Sequence, residues 1–161
     1  MIRPYDAEDT DDAEAVWRLK RAFETAMGDT GDERKAASYD AKLTDTYRER
    51  WLAWVRRCVD DEDCLYVAER DDALVGYLFL LPERLAFVWD AAVLNELYVT
   101  PDYRGTGVAD DLFERGLAHA RSQDLPLDRL VLDVDGRNER AKAFYERHGF
   151  TRWGEMVARE L

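Results

Sequence analysis

Apolar residues recur at helical spacing along four stretches of this chain, and they run or alternate along several shorter ones. Behind a polar cap, "TDDAEAVWRLKRAFETAM" sets Ala13, Val16, Leu19, Phe23 and Met27 on one stripe, the pattern of an amphipathic helix. The next stretch, "GDTGDERKAAS" (residues 28–38), reads as a loop. A second helix is expected where Leu43, Tyr47, Trp51, Trp54, Val55 and Cys58 share a face. "CLYVAER" and "ALVGYLFLLPE" then read as two strands joined at Asp71 and Asp72, a hairpin-like pair. Past a break at Pro82 and Glu83, "VWDAAVLNELYVT" reads as one long strand ending at Pro101. A helix, "GVADDLFERGLAHAR", follows at once, with Val108, Ala109, Leu112, Phe113, Gly116, Leu117 and Ala120 on its apolar face. "LDRLVLDVD" is a further strand, and "NERAKAFYERHG" a last helix with Asn138 as N-cap and Gly149 as stop. The opening "IRPYD" suits a short strand, and "FTRWGEMVAREL" closes the chain in extended form as one or two strands. Hairpins followed by a strand–helix–strand unit predict an α/β fold, a mixed sheet with helices on both faces.

A length of 161 residues fits one domain, 1–161. The chain lacks any run of 18 or more apolar residues, and its start, "MIRPYDAEDT", is polar and acidic, so neither a membrane span nor a secretory signal is expected. Cys58 and Cys64 flank an acidic run without the pattern of a disulfide framework or a zinc site. Free thiols, no metal and a cytoplasmic setting are the expectation. The formal charge of −12 and the pI near 4.6 argue against a nucleic-acid partner. Acids recur along the whole length and arginine outnumbers lysine. A solvating coat suited to high salt accounts for this more simply than a surface that steers cationic substrates.

The passage "ELYVTPDYRGTGVA" carries the first chemical signal, because two glycines and an arginine stand where a strand hands over to a helix. The first N–H groups of a helix have no internal partner, and the helix dipole puts partial positive charge there. Glycines let a phosphate approach that backbone closely, and Arg104 adds a charged donor fork, so the expected ligand is a pyrophosphate. A dinucleotide fingerprint would need a third glycine where Asp110 stands, and the Gly-Lys-Ser/Thr of a nucleotide P-loop is missing.

The run Arg104, Gly105, Thr106, Gly107, Val108, Ala109 resembles the Arg/Gln-x-x-Gly-x-Gly/Ala signature of the GNAT superfamily of acyl-CoA-dependent N-acetyltransferases. About 30 residues on, "NERAKAFYERHGF" is similar to that family's second motif, Asn-x-x-Ala-x-x-Phe-Tyr-x-x-x-Gly-Phe. The N-terminal "IRPYDAEDTDDAEAVWRL" also resembles the family, so the likeness spans essentially the whole chain. It implies a mostly antiparallel sheet splayed between its fourth and fifth strands. It further implies that the pyrophosphate of acetyl-CoA rests on the amides of residues 104–109, continuing into Asp110, and that the pantetheine arm lies along Leu97, Tyr98 and Val99. Asp110 and Asp111 would repel a phosphate if their charges faced it.

Acyl transfer needs an amine without its proton, and the resemblance makes Glu96 the base or the amine anchor. A backbone N–H near Leu97 would face the thioester oxygen. Tyr145 matches the family's general acid for the departing thiolate, and Asn138 would reach the pantetheine as well as cap its helix. Asn95 is expected to point away from Glu96, His119 to sit at the surface, His148 to meet helix-terminal carbonyls, and Asp133 or Asp135 to line the acceptor cleft. The implied reaction is direct acetyl transfer to a primary amine of a small molecule or peptide within a ternary complex. The acceptor would be chosen by residues 28–40 and 82–92, a polyamine-like amine being one candidate. A homodimer is the default oligomer of such proteins. The competing class is an acyl-CoA-binding or regulatory module that keeps the coenzyme site without the reaction.

Overall fold

In the computed structural model, which describes residues 1–161, the elements follow in the order β1 (Ile2–Pro4), α1 (Thr10–Asp29), α2 (Glu33–Lys42), α3 (Asp45–Val59), β2 (Leu65–Arg70), β3 (Ala73–Leu80), β4 (Ala92–Val99), α4 (Val108–Ser122), β5 (Leu130–Val131) and α5 (Glu139–Arg147). The strands form one sheet in the order β1-β2-β3-β4-β5. The first three pairings are antiparallel, and β4 runs parallel to β5. Asp71 and Asp72, both in the left-handed region at φ 52° and 60°, make the tight β2–β3 turn, a conformation Asp tolerates better than most residues.

Alternation along β3 places the helices. Tyr77 and Phe79 face α1 and α3, where Phe23 and Trp54 meet their rings edge-on. Leu78 points the other way, toward α4. A Cβ on Gly116 would lie 2.7 Å from Leu78 Cδ2, so glycine is what lets α4 settle against the sheet. Tyr66, Tyr77, Phe79, Phe113 and Leu112 are fully buried, and side chains of this size each contribute roughly 1.5–3 kcal/mol. At the other edge Arg3 donates both Nη1 and Nη2 to Asp12 at 2.7 Å, tying β1 to α1.

Four parts of the sequence reading need correction. Residues 28–38 are not all loop, because α2 begins at Glu33, capped by Asp32, whose side chain accepts from the Lys35 N–H. α2 buries no residue, so it has no apolar stripe to betray it. The strand expected from Val88 starts only at Ala92, and residues 83–88 wind into a 3-10 helix that leaves Val88 and Trp89 exposed. The strand around Leu130 is two residues long. The closing segment forms no strand, and Trp153 and Val157 stand exposed, since so short a β5 offers little edge to pair with. No helix is long and apolar enough to cross a membrane.

Candidate active site

The sheet opens where the site lies. β4 pairs with β5 only at Ala92 with Leu130 and Val93 with Val131, so residues 94–99 have no strand partner on that side. A cavity of about 310 Å³ fills the gap, walled by Leu94, Asn95, Glu96 and Leu97 on β4 and by Leu132, Asp133, Val134, Asn138, Ala141 and Tyr145 opposite. Phe23, Glu24, Met27, Tyr39, Lys42 and Met156 complete it. In the β3–β4 ladder Phe79 pairs with Glu96 and Leu80 with Leu94, so Asn95 is the extra residue of a β-bulge. The bulge breaks the alternation, and Asn95 therefore lines the same cavity as Glu96, with its Nδ2 3.5 Å from Glu96 Oε1.

The glycine turn lies at the start of α4. Gly105 and Gly107 take φ of 74° and 92°, where a side chain would be strained, and a Cβ on either would meet nothing within 4 Å. Gly107 is the N-cap and no side chain caps the helix. Main-chain bonding resumes only at Asp111, whose N–H donates to Gly107 O at 2.9 Å. The amides from Gly105 to Asp110 are thus donors without a protein partner, and Gly105 and Gly107 face open space, which fits a pyrophosphate. Arg104 folds back along β4: its Nε donates to Val99 O at 3.0 Å and its guanidinium lies over the Tyr98 ring. Burial and the charge of Arg104 draw the Arg140 guanidinium below its ordinary pKa, so two arginines share this region without an intervening acid. Arg140 escaped the sequence reading, which held no signal for it beyond its place two residues after Asn138.

Both carboxylates of the first turn of α4 meet arginines, Asp110 with Arg147 and Asp111 with Arg70 at 3.5 Å. Asp110 accepts from Arg147 Nη1 at 2.7 Å and contacts His148 Nε2 at 2.8 Å, and the Arg147 hydrogen bond leads the effects holding its pKa below the ordinary carboxylate value. His148 is also the C-cap, but only its backbone N–H donates to carbonyls of the last turn, while its imidazole, expected at those carbonyls, turns to Asp110 instead. His119 is not a surface residue: it bridges Tyr66 OH at 2.8 Å and Glu62 at 2.6 Å, a link between α4 and the acidic 59–64 segment. Asp135 pairs with Lys35 of α2, while Asp133 lines the cavity.

Glu96 is enclosed, at 5 % exposure, and both its oxygens are engaged. Lys20 of α1 donates to Oε1, and the Tyr77 hydroxyl donates to Oε2 at 2.7 Å. Lys20 also donates to Glu24 one helical turn on, and Lys42 approaches the other Glu24 oxygen at 2.7 Å. Burial works to lower the Lys20 pKa, and the carboxylates of Glu96 and Glu24 more than reverse it, so the ammonium stays charged. Tyr77 is pushed well above the ordinary phenol range, first by burial and then by Glu96. Sequence reasoning missed Lys20, Glu24 and Tyr77. The signal for two of them was present, because Lys20 and Glu24 interrupt the buried stripe of α1 at i, i+4 spacing.

Tyr145 faces the cavity from α5 between Phe144 and Phe150, and burial pushes its phenol up to about 12. Asn138 caps α5 by accepting from the Ala141 N–H at 3.1 Å, which leaves its amide NH2 free, and the residue lines the cavity. Cys58 and Cys64 are free and buried, and burial raises the Cys64 thiol to about 12. Cleft, glycine turn, enclosed carboxylates and phenol therefore converge on the splayed edge of β4.

An open strand edge with an uncapped helix start beside it suits a phosphate-bearing molecule laid along β4. Residues 20–150 match the model of the acetyltransferase (GNAT) family, and the chain belongs to that family. It is 41% identical over 114 residues to a mycothiol acetyltransferase of Thermobispora bispora, covering 69% of this chain but only 36% of that longer protein. With an uncharacterised N-acetyltransferase of Mycobacterium tuberculosis it shares 34% identity over 119 residues, 73% of this chain and 68% of the relative. Among solved structures, the PaiA N-acetyltransferase of Thermoplasma acidophilum in complex with coenzyme A has the same fold, with a TM-score of 0.72 at 20% identity over 94% of this chain and 89% of that one. A ribosomal-protein-alanine N-acetyltransferase of Brucella melitensis superposes at a TM-score of 0.68, with 22% identity, 96% of this chain and 86% of that one.

Proposed function

We propose that this chain transfers an acetyl group from acetyl-CoA to a primary amine by direct attack in a ternary complex. The observation that carries the reading is the cleft along the unpaired edge of β4, with Glu96 and Tyr145 in its walls, and the uncapped amides that begin α4 beyond the end of that strand. Acetyl-CoA would supply the activated thioester. The amides of residues 105–110, with Arg104 and Arg140 nearby, would hold its pyrophosphate, and the free main chain of Leu97, Tyr98 and Val99 would pair with its amide-bearing arm. Asn138 would add its side-chain NH2.

The amine must arrive as an ammonium and attack as a neutral nitrogen. Because both Glu96 oxygens already accept hydrogen bonds from Lys20 and Tyr77, Glu96 is assigned the anchoring of the acceptor and acceptance of its proton through a water. As nitrogen bonds to the acetyl carbon and the carbon–sulfur bond breaks, Tyr145 donates to the leaving sulfur. A phenol with a pKa near 12 holds its proton at neutral pH and has it to give as the thiolate departs.

The test is thiol release from acetyl-CoA across a panel of primary amines, in low and high salt. Acceptor-dependent release supports the reading. Tight coenzyme binding with no release from any amine favours the module that binds acyl-CoA without reaction.

A further inference from the structure

Two lysines reach Glu24, in different ways. Lys20 is sealed between Glu24 and Glu96 at 4 % side-chain exposure. Lys42, the last residue of α2, is 37 % exposed, and its ammonium lies 2.7 Å from Glu24 Oε2 and over the rings of Tyr39 and Tyr47, at 4.4 and 5.5 Å from their centroids. That carboxylate oxygen is buried, yet no hydrogen bond is directed at it. Lys42 thus supplies charge to Glu24 from a helix that buries no side chain of its own.

Building on the acyl-transfer reading, we propose that Glu24, Tyr39 and Tyr47 form a binding site for a non-reacting ammonium group of the acceptor. Lys42 fills that site in the free protein as an internal competitor. Two cations, Lys20 and Lys42, face two carboxylates, Glu24 and Glu96. Withdrawal of Lys42 leaves one negative charge uncompensated beside a carboxylate whose side chain is only 5 % exposed, and an acceptor ammonium restores the balance. The two ring faces suit a cation of any origin. A site of this kind keeps its guest protonated, since nearby carboxylates favour the charged form. The nitrogen that attacks the thioester is therefore a second amine of the same molecule, elsewhere in the cavity that Tyr145 also lines. The acceptor class is a compound with two amino groups, one read as a cation and one acetylated.

Calorimetric titration of the coenzyme-free protein with 1,4-diaminobutane and with the uncharged 1,4-butanediol tests this without catalysis. Lys42→Met is expected to tighten diamine binding about tenfold and leave the uncharged diol unchanged, while Lys42→Arg, which restores the plug, behaves as the wild type. Glu24→Gln and Tyr39→Leu in the Lys42→Met background are each expected to abolish the preference for the diamine. Unchanged or weaker diamine binding in Lys42→Met, with α2 intact by circular dichroism, overturns the proposal, as does equal tightening for the diamine and the diol. Diamine binding with no thiol release would sustain the site and refute the reaction. Thiol release indifferent to a second charge in every variant would refute the site and leave the reaction standing.

Discussion

Replacement of Lys20 by Met removes the one cation that Glu24 and Glu96 share while keeping the length of the side chain. The three residues are 3, 4 and 5 % exposed, so water cannot take over the lysine's role. Breaking a buried ion pair by deleting one partner costs about 3–5 kcal/mol. Lys42 remains 2.7 Å from Glu24, and Tyr77 still donates to Glu96 at 2.7 Å, which places the expected loss near the lower figure. A loss of about 3 kcal/mol lowers Tm by roughly 6–12 °C in a domain of this size. Urea unfolding and scanning calorimetry at neutral pH read it directly. The control is the triple variant Lys20→Met, Glu24→Gln, Glu96→Gln, which no longer buries uncompensated charge and recovers most of the stability. Lys20 titrates above its ordinary 10.5, because Glu96 and Glu24 outweigh burial. Its contribution is therefore complete below that pH and fades as pH climbs through the raised value, so wild type and Lys20→Met converge in strong alkali. A loss under about 1 kcal/mol, or a triple variant no more stable than the single one, refutes this reasoning.

Tyr145→Phe is expected to lower turnover on the order of tenfold to a hundredfold with coenzyme affinity nearly intact, and an unchanged turnover removes the phenol from the mechanism. Arg140→Ala should weaken coenzyme binding several-fold, on the order of one charge-assisted contact, at unchanged Tm, as read by calorimetric titration and a thermal melt. Asp12, held below its ordinary 3.8 first by the Arg3 hydrogen bond, contributes stability that is present above that pH and lost as pH falls through the lowered value. An acid titration of Asp12→Asn, followed by circular dichroism, should show a stability deficit at pH 6 that shrinks toward pH 2.

The amphipathic stripe of α1, the β2–β3 hairpin and the entry to α4 were readable because each follows a period, or a turn chemistry, that burial enforces. The glycine turn was readable for a different reason: Gly105 and Gly107 occupy backbone angles that few other residues tolerate. Residues 33–42 hid their helix because nothing on it faces a core, and only the cap at Asp32 marked it. Asn95 was misplaced because strict alternation cannot reveal a bulge, which depends on the register of the partner strand. Glu96 was found as a candidate, but its partners Lys20 and Tyr77 come from an element 76 residues away and from a neighbouring strand, a meeting that only the tertiary fold creates. The extended reading of the closing segment failed for the same kind of reason, since a strand exists only where an edge is offered to it.

Nitrogen-15 amide spectra recorded during titration with coenzyme A test the central claim most directly. The account predicts that the resonances of Gly105, Thr106, Gly107, Val108 and Ala109 move most, as their free N–H groups meet the pyrophosphate, and that Leu97 and Val99 move with them. Saturable binding that leaves those amides still, or no binding at all, would contradict it.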